Sequence, residues 1–357
     1  MALLASSSTS YVLPYVLPNA QPSLLTEQNR RELAELGYTV VTNVLTNEEV
    51  QAALTGIWTG LATLCGTTLS DINNWPDWRW PHSLSIKGLI QHYGSLSHCQ
   101  AVWDVRQNPK VAGVFADIWQ VNSSELLTSF DGLGVQKPPE YTKKYSDPLG
   151  TPWHHIDQGA GKQGLQCVQG FVNLIEGTSE DGCLIVRPRS HLYHQAFHET
   201  FPGHQADWVL LTDQEKAWYD AIAAQSPNSM FDFHGCAPIR VAAPAGSLVL
   251  WDSRTVHANA TALAQRSIPK FRVVIYVCMT PRSWATEKNL EKKRKYLLEG
   301  RVTTHWPHQV KVFGKVPRLY GDTSFDDSFA IDKAVKKVPQ LTALGQRLAG
   351  FNGDNTV

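Results

Sequence analysis

The chain has 357 residues, 43% of them apolar and 18% charged, with 32 basic side chains balanced by 32 acidic ones. That length is enough for a sizeable core in one large enzyme domain or two smaller ones, and the balanced charge gives no net field toward nucleic acid or an anionic membrane, although local basic patches survive such a balance. The six cysteines, Cys65, Cys99, Cys167, Cys183, Cys236 and Cys278, show no paired short spacing of the zinc-ribbon or redox type and read as reduced thiols.

The first twenty residues, MALLASSSTSYVLPYVLPNA, lack the basic start and continuous apolar run of a secretory leader, and no later run approaches the roughly 20 apolar residues of a membrane span. The expectation is an intracellular, cytoplasmic protein. Thr26 is placed to cap a helix through EQNRRELAEL that Gly37 ends, and YTVVTNVL follows as a strand. Thr46 and Glu49 form a capping-box pattern for the next helix. The segment DINNWPDWRWP, Asp71 to Pro81, is too rich in proline and tryptophan for a regular element and reads as a packed surface loop or a lid. Asn108 and Pro109 open a helix over PKVAGVFADIWQ, in which Val111, Val114, Phe115 and Ile118 recur at helical spacing as a core stripe.

From about Leu126 short strands take over. LLTSFDGLGVQ, LQCVQGFVNLI, GCLIVRP, IRVAAPAGSLVLWD and FRVVIYVCM are rich in β-branched and aromatic residues and are broken by Gly, Pro or Asp. No alternation of helices with parallel strands is visible, so a doubly wound sheet is disfavoured and a double-sheet jelly roll is expected. From Pro281 the chain turns basic and helical through TEKNLEKKRKYLLEGR, whose charges read as a solvated face, and then irregular. A single domain over 1–357 is expected, with 1–125 as mainly helical support, 126–280 as the jelly-roll core and 281–357 as a carboxy-terminal extension.

Three stretches carry chemistry. In TPWHHIDQ, His155 and Asp157 lie two positions apart and share a face if the chain is extended. In GSLVLWDSRTVHANA, a buried strand leads through a polar turn to His257. Taken alone that histidine is more often structural, but with His155 and Asp157 it matches a two-histidine, one-carboxylate set that leaves three positions of an octahedral iron open. In IPKFRVVIYVCM, Arg272 interrupts an apolar strand and needs a compensating anion, either a neighbouring carboxylate or solvent, or the carboxylate of a co-substrate. His154 faces away from its neighbour and is structural or supporting. Gln158, Gln169 and Asn173 carry amides near barrel strands, without a sequence signal for which face is inside. Trp153 and Trp251 read as packing residues, and Asp131, Lys137 and Trp80 as pocket candidates.

The order of LAELGYTVVTNVLTNEEV, HID, EDGCLIVRPRSH, GSLVLWDSRTVHAN and FRVVIYVC resembles the phytanoyl-CoA dioxygenase-like family of iron(II)- and 2-oxoglutarate-dependent oxygenases over most of residues 26–280. The resemblance implies a fold that is mainly β with flanking helices, a double-stranded β-helix or cupin-like jelly roll. It implies His155, Asp157 and His257 as ligands of Fe(II), Arg272 as the residue holding the distal carboxylate of the co-substrate 2-oxoglutarate, and Asn259, where a small hydroxyl residue is usual, at the position of a co-substrate contact; the amides of Gln158, Gln169 and Asn173 are candidates to hydrogen-bond 2-oxoglutarate or a ligand-bound water. Arg189 stands where a glycine is usual, as a substrate contact or a solvated turn. The implied activity is hydroxylation of a small or mid-sized organic metabolite by dioxygen with release of succinate and carbon dioxide, with no nucleic-acid or membrane partner and the oligomeric state left open; desaturation, cyclisation and epimerisation use the same site. Two other readings stand beside it: a cupin-like metal enzyme that does not use 2-oxoglutarate, and a non-catalytic jelly-roll binding protein.

Overall fold

A computed structural model describes residues 24–68, 80–81, 88–90, 92–141, 153–204, 206–225, 235–263, 266, 268–313 and 325–352. Residues 1–23 and most of the tryptophan-rich segment, 71–79, lie outside the described residues.

Local chemistry sets the amino-terminal helices. Helix α1 (Glu27–Leu36) begins where the Thr26 hydroxyl accepts the Asn29 amide and ends at Gly37, left-handed at φ 81°. Strand β1 (Tyr38–Val41) follows, shorter than its sequence suggests. Helix α2 (Asn47–Cys65) opens on a reciprocal box in which Glu49 N–H donates to Thr46 Oγ1 at 3.2 Å and Thr46 N–H donates to Glu49 Oε2 at 2.7 Å. Two short helices, α3 (Gly94–Ser97) and α4 (Gln100–Arg106), precede α5 (Pro109–Trp119), which Asn108 caps as expected.

Two antiparallel sheets follow. The larger joins β1, β10 (Ser247–Asp252), β6 (Val168–Asn173), β12 (Arg272–Pro281), β4 (Leu133–Gln136) and β2 (Leu89–Ile90) in that order, with β3 (Leu126–Thr128) paired to β12. The smaller runs β8 (Val209–Leu210), β5 (His155–Ile156), β11 (His257–Ala260), β7 (Cys183–Val186) and β9 (Ile239–Val241). Every residue of β6, β10 and β12 is buried, because each face of the larger sheet has its own cover. On one face Val168, Val172, Leu248, Leu250, Val273, Ile275, Val277 and Met279 pack in one core with residues of α2, α4 and α5. On the other Phe171, Val249, Trp251, Val274 and Tyr276 pack with Leu184, Val186 and Val241 of the smaller sheet. The register pairs Cys278 with Gln169, Tyr276 with Phe171 and Val274 with Asn173, so Gln169 and Asn173 face the smaller sheet.

The expectation of a mainly β jelly roll is corrected. Among the described residues helix (40%) outweighs strand (20%) and the two ladders remain open sheets that do not close into a barrel, so the fold is mixed α and β. Helices α6 (His194–Thr200) and α7 (Asp213–Gln225) interrupt the region expected to be strands, and α8 (Glu287–Leu298) falls where a basic helix is expected, with α9 (Phe325–Val335) and α10 (Ala343–Leu348) following the stretch 305–321 expected to be irregular. Their apolar stripes are short: α7 buries only Glu215 and Tyr219, so its polar sequence hides it. The basic face of α8 is also only partly solvated, since Lys293 is 1% exposed and its ammonium donates to Thr128 O beneath the Phe130 ring. Among the described residues no helix is long and apolar enough to cross a membrane.

Ile275 is fully buried between the larger sheet and the helices. Ile275→Ala is expected to cost about 2–5 kcal/mol through lost burial and a residual cavity. Thr46→Ala, which removes one helix cap, should cost about 1 kcal/mol. Urea unfolding with an unchanged m-value checks both, as two midpoint shifts of unequal size.

Candidate metal centre

The centre is built on the smaller sheet. β11 pairs with β5 so that His257 stands directly opposite His155, and Asp157 follows two residues after His155, with its N–H donating to Ser253 O at 3.2 Å. One ligand atom from each of the three residues lies within 4.8 Å of the others, and all three are buried. The approach is asymmetric: Asp157 Oδ2 is 3.3 Å from His257 Nε2 and 3.7 Å from His155 Nε2.

Backbone carbonyls aim both rings. His155 Nδ1 donates to Trp153 O at 3.0 Å and His257 Nδ1 donates to Thr255 O at 2.9 Å, which puts the proton on Nδ1 and the lone pair on Nε2, toward Asp157. Trp153 stacks on the His155 ring at 4.4 Å and 7°, and Trp251 lies 5.2 Å from the His257 ring. Burial lowers the His257 pKa, with the neighbouring His155 adding to the effect, so this imidazole stays neutral as a ligand must. Burial alone would raise the Asp157 carboxyl, but the surrounding imidazoles of His305, His155 and His257 outweigh it and hold the group well below the usual carboxylate range. Gln169, on the facing sheet, donates from Nε2 to Asp157 Oδ2 at 3.0 Å and fixes the carboxylate. Two neutral imidazoles and one ionised carboxylate on one side of a point form a donor set that fits a divalent transition metal with open positions.

Beside the triad lies a second polar group of side chains. Arg272 is 6% exposed, its guanidinium sits 5.0 Å above the Phe171 ring, and its Nη2 has no hydrogen-bond partner among the described residues. In register opposite it stands Gln136, 5% exposed, with both amide atoms unpartnered. Asn259 donates to the Tyr276 hydroxyl at 3.2 Å and leaves its own buried Oδ1 unpartnered. Two glycines make the room: a Cβ at Gly182 would run into Gln136 Oε1, and one at Gly134 would run into Val274 Cγ2 at 2.9 Å. Buried polar groups of this kind are costly unless something satisfies them. A carboxylate placed between Arg272 and Gln136 would accept from the two donors, Arg272 Nη2 and Gln136 Nε2. Gln136 has no distinguishing mark in the sequence, and only the register exposes it.

Other residues singled out in the sequence go elsewhere. The Gln158 amide is consumed by loop contacts, donating to Lys162 O and Gly164 O at 2.8 Å and accepting from Ser253 Oγ at 2.7 Å. Asn173 donates to the carbonyls of Ile175 and Ala243, at 2.9 and 2.8 Å. His154 lies on the opposite face of β5; burial, then the Arg187 charge, pushes it down to about 3. Asp131 sits 3.8 Å from the buried Arg106 and accepts from Ser129 Oγ at 2.6 Å, which makes it part of the core. Trp80 packs near Phe271, with the Lys137 ammonium 5.8 Å from its ring. Arg189 has φ 65°, a left-handed turn that explains why glycine is favoured at this position.

The family model described as phytanoyl-CoA dioxygenase (PhyH) matches residues 33–266. The Ava biosynthesis cluster protein O of Aspergillus versicolor is 34% identical over 228 residues, 63% of this chain and 68% of that protein. Among solved structures, a Salmonella typhimurium LT2 protein described provisionally as an oxidoreductase aligns with a TM-score of 0.55 at 16% identity, over 91% of this chain and 83% of that one. The non-heme alpha-ketoglutarate-dependent carbocyclase SnoK from nogalamycin biosynthesis aligns with a TM-score of 0.47 at 16% identity, over 73% of this chain and 87% of that one.

Alanine at His155, Asp157 or His257 is expected to abolish stoichiometric iron(II) binding, measured by anaerobic metal titration, and chelation should remove activity reversibly. Gln169→Leu keeps all three donors but frees the carboxylate, and is expected to weaken metal affinity by about 10–100-fold. Full iron affinity in the three alanine variants would reject the centre.

Proposed function

Because the chain belongs to the phytanoyl-CoA dioxygenase family of iron(II)- and 2-oxoglutarate-dependent oxygenases, we propose that it hydroxylates a small or mid-sized organic metabolite at the His155, Asp157 and His257 centre. The observation that carries the site assignment is the convergence of that triad with a buried, anion-less Arg272.

The chemistry supplied by the bound iron and co-substrate is oxidative decarboxylation of 2-oxoglutarate to succinate and carbon dioxide, coupled to oxidation of a C–H bond by dioxygen. The protein's part is positional. His155 and His257 present Nε2 because their Nδ1 protons are held by backbone carbonyls, and Asp157 contributes a fixed negative charge that Gln169 orients. Arg272 offers a planar fork to the distal carboxylate of 2-oxoglutarate, with the Gln136 amide opposite it as a second donor and Asn259 at the side of the same chamber. Trp153 and Trp251 close the flanks of the two histidines and keep water from them. We assign Gln158 to holding the loop after Asp157, because its amide is already satisfied there. The orphaned polar group around Arg272 favours a 2-oxoglutarate-using enzyme over a metal enzyme that has no need of an anion.

Arg272→Ala is expected to raise the dissociation constant for 2-oxoglutarate by about tenfold or more while leaving iron(II) affinity intact, and Arg272→Lys should recover only part of it because the fork is lost. Gln136→Leu should weaken 2-oxoglutarate by about 10- to 100-fold, the effect of one hydrogen bond to a charged group. Anaerobic titration of the iron complex measures both, and unchanged 2-oxoglutarate affinity across the three variants would reject the clamp. With a productive metabolite present, succinate should form in step with a product carrying one oxygen from labelled dioxygen.

A further inference from the structure

The smaller sheet has two unlike faces. On one, Ile156 and Val209, opposite each other in the β5/β8 pair, are buried and pack with Phe197 of α6 and Tyr219 of α7. The other carries His155. Leu210 is its cross-strand partner, and alternation along the chain puts Trp208 on that face too.

Among the described residues, the outer margin of that second face is exposed. Trp208 is 51% exposed and Leu210 is 46% exposed. The Trp208 ring lies 6.0 Å from the ring of His155 and 6.5 Å from that of Trp153. Single exposed apolar residues are ordinary, but here two large ones continue the row that supplies a proposed metal ligand. One side of Trp153 is already taken by His155, so the flat surface on offer belongs to Trp208. The adjacent Asp207 is paired with Lys162 and lies 3.8 Å from Lys311, which cancels its attraction for a cation.

We propose that Trp208, with Leu210 and the edge of Trp153, forms the substrate-recognition wall of this site and takes a neutral, planar aromatic ring of the substrate. The proposal rests on the oxygenase reading above and adds the substrate class to it. The ring lies against the indole of Trp208, and the C–H bond to be oxidised is carried on or next to that ring, on the His155 side.

The test uses the full-length iron(II) protein under anaerobic conditions with calorimetric titration of three probes: indole, cyclohexanol and tetramethylammonium. In the wild type, indole should bind tightest. Trp208→Ala should weaken indole by about tenfold, the loss of one aromatic contact and its buried area, while Trp208→Phe, which keeps a flat face, should retain most of it. Trp208 is half exposed, so both variants should keep the wild-type melting temperature and 2-oxoglutarate affinity. Indole affinity indifferent to Trp208, or a wild-type preference for cyclohexanol or tetramethylammonium, would overturn the wall while leaving the oxygenase reading in place. Failure of the wild type to bind 2-oxoglutarate in the same titrations would instead overturn the reading on which the wall rests.

Discussion

The pairing of β11 with β5 is the constraint on which the rest depends. It sets His257 opposite His155, and a shift of one residue in that register would turn one imidazole to the other side of the sheet. Each ring is then fixed by the carbonyl two residues before it, so the backbone that makes the ladder also selects the tautomer. Asp157 needs no strand of its own. It is reached by the same chain just past β5, where Ser253 holds its amide and Gln169 its carboxylate.

The larger sheet supplies what the smaller one lacks. Its helix-facing side is mostly apolar and makes the main core, while the side turned toward the smaller sheet mixes Phe171, Trp251 and Tyr276 with Gln169, Gln136 and Arg272. A guanidinium and a carboxamide with unsatisfied atoms in such a layer are a standing cost to the folded chain, and an anionic ligand offsets it on binding. Proposed metal ligands and proposed co-substrate donors therefore come from different sheets and meet in the layer between them.

Much of the site was legible because its residue types are chemically distinctive. A histidine two residues from an aspartate, a distant histidine after a buried strand and an arginine within an apolar run can be picked out by eye, and the structure brings the first three together with Arg272 on the facing sheet. The helix boundaries at Thr26, Thr46 and Asn108 were legible for a similar reason, since caps are local. What could not be read was anything that depends on a partner strand. Gln136 is an ordinary strand-end amide until Arg272 is found opposite it. Gln158 looked well placed beside Asp157, but its amide turns to the loop. The fold class was misjudged because α6, α7, α9 and α10 are short or weakly amphipathic, and the strands between them drew the reading toward an all-strand core.

Strand β8 is the outermost strand of the smaller sheet, bonded to β5 on one side only. It contributes no residue to the triad and none to the polar chamber around Arg272. Changes at Trp208 or Leu210 thus fall on a margin where side chains can be exchanged without moving the ladder that aligns the histidines. The edge strand separates the residues that bear on what is bound from the ladder that holds the histidines in line, so the two can be altered independently.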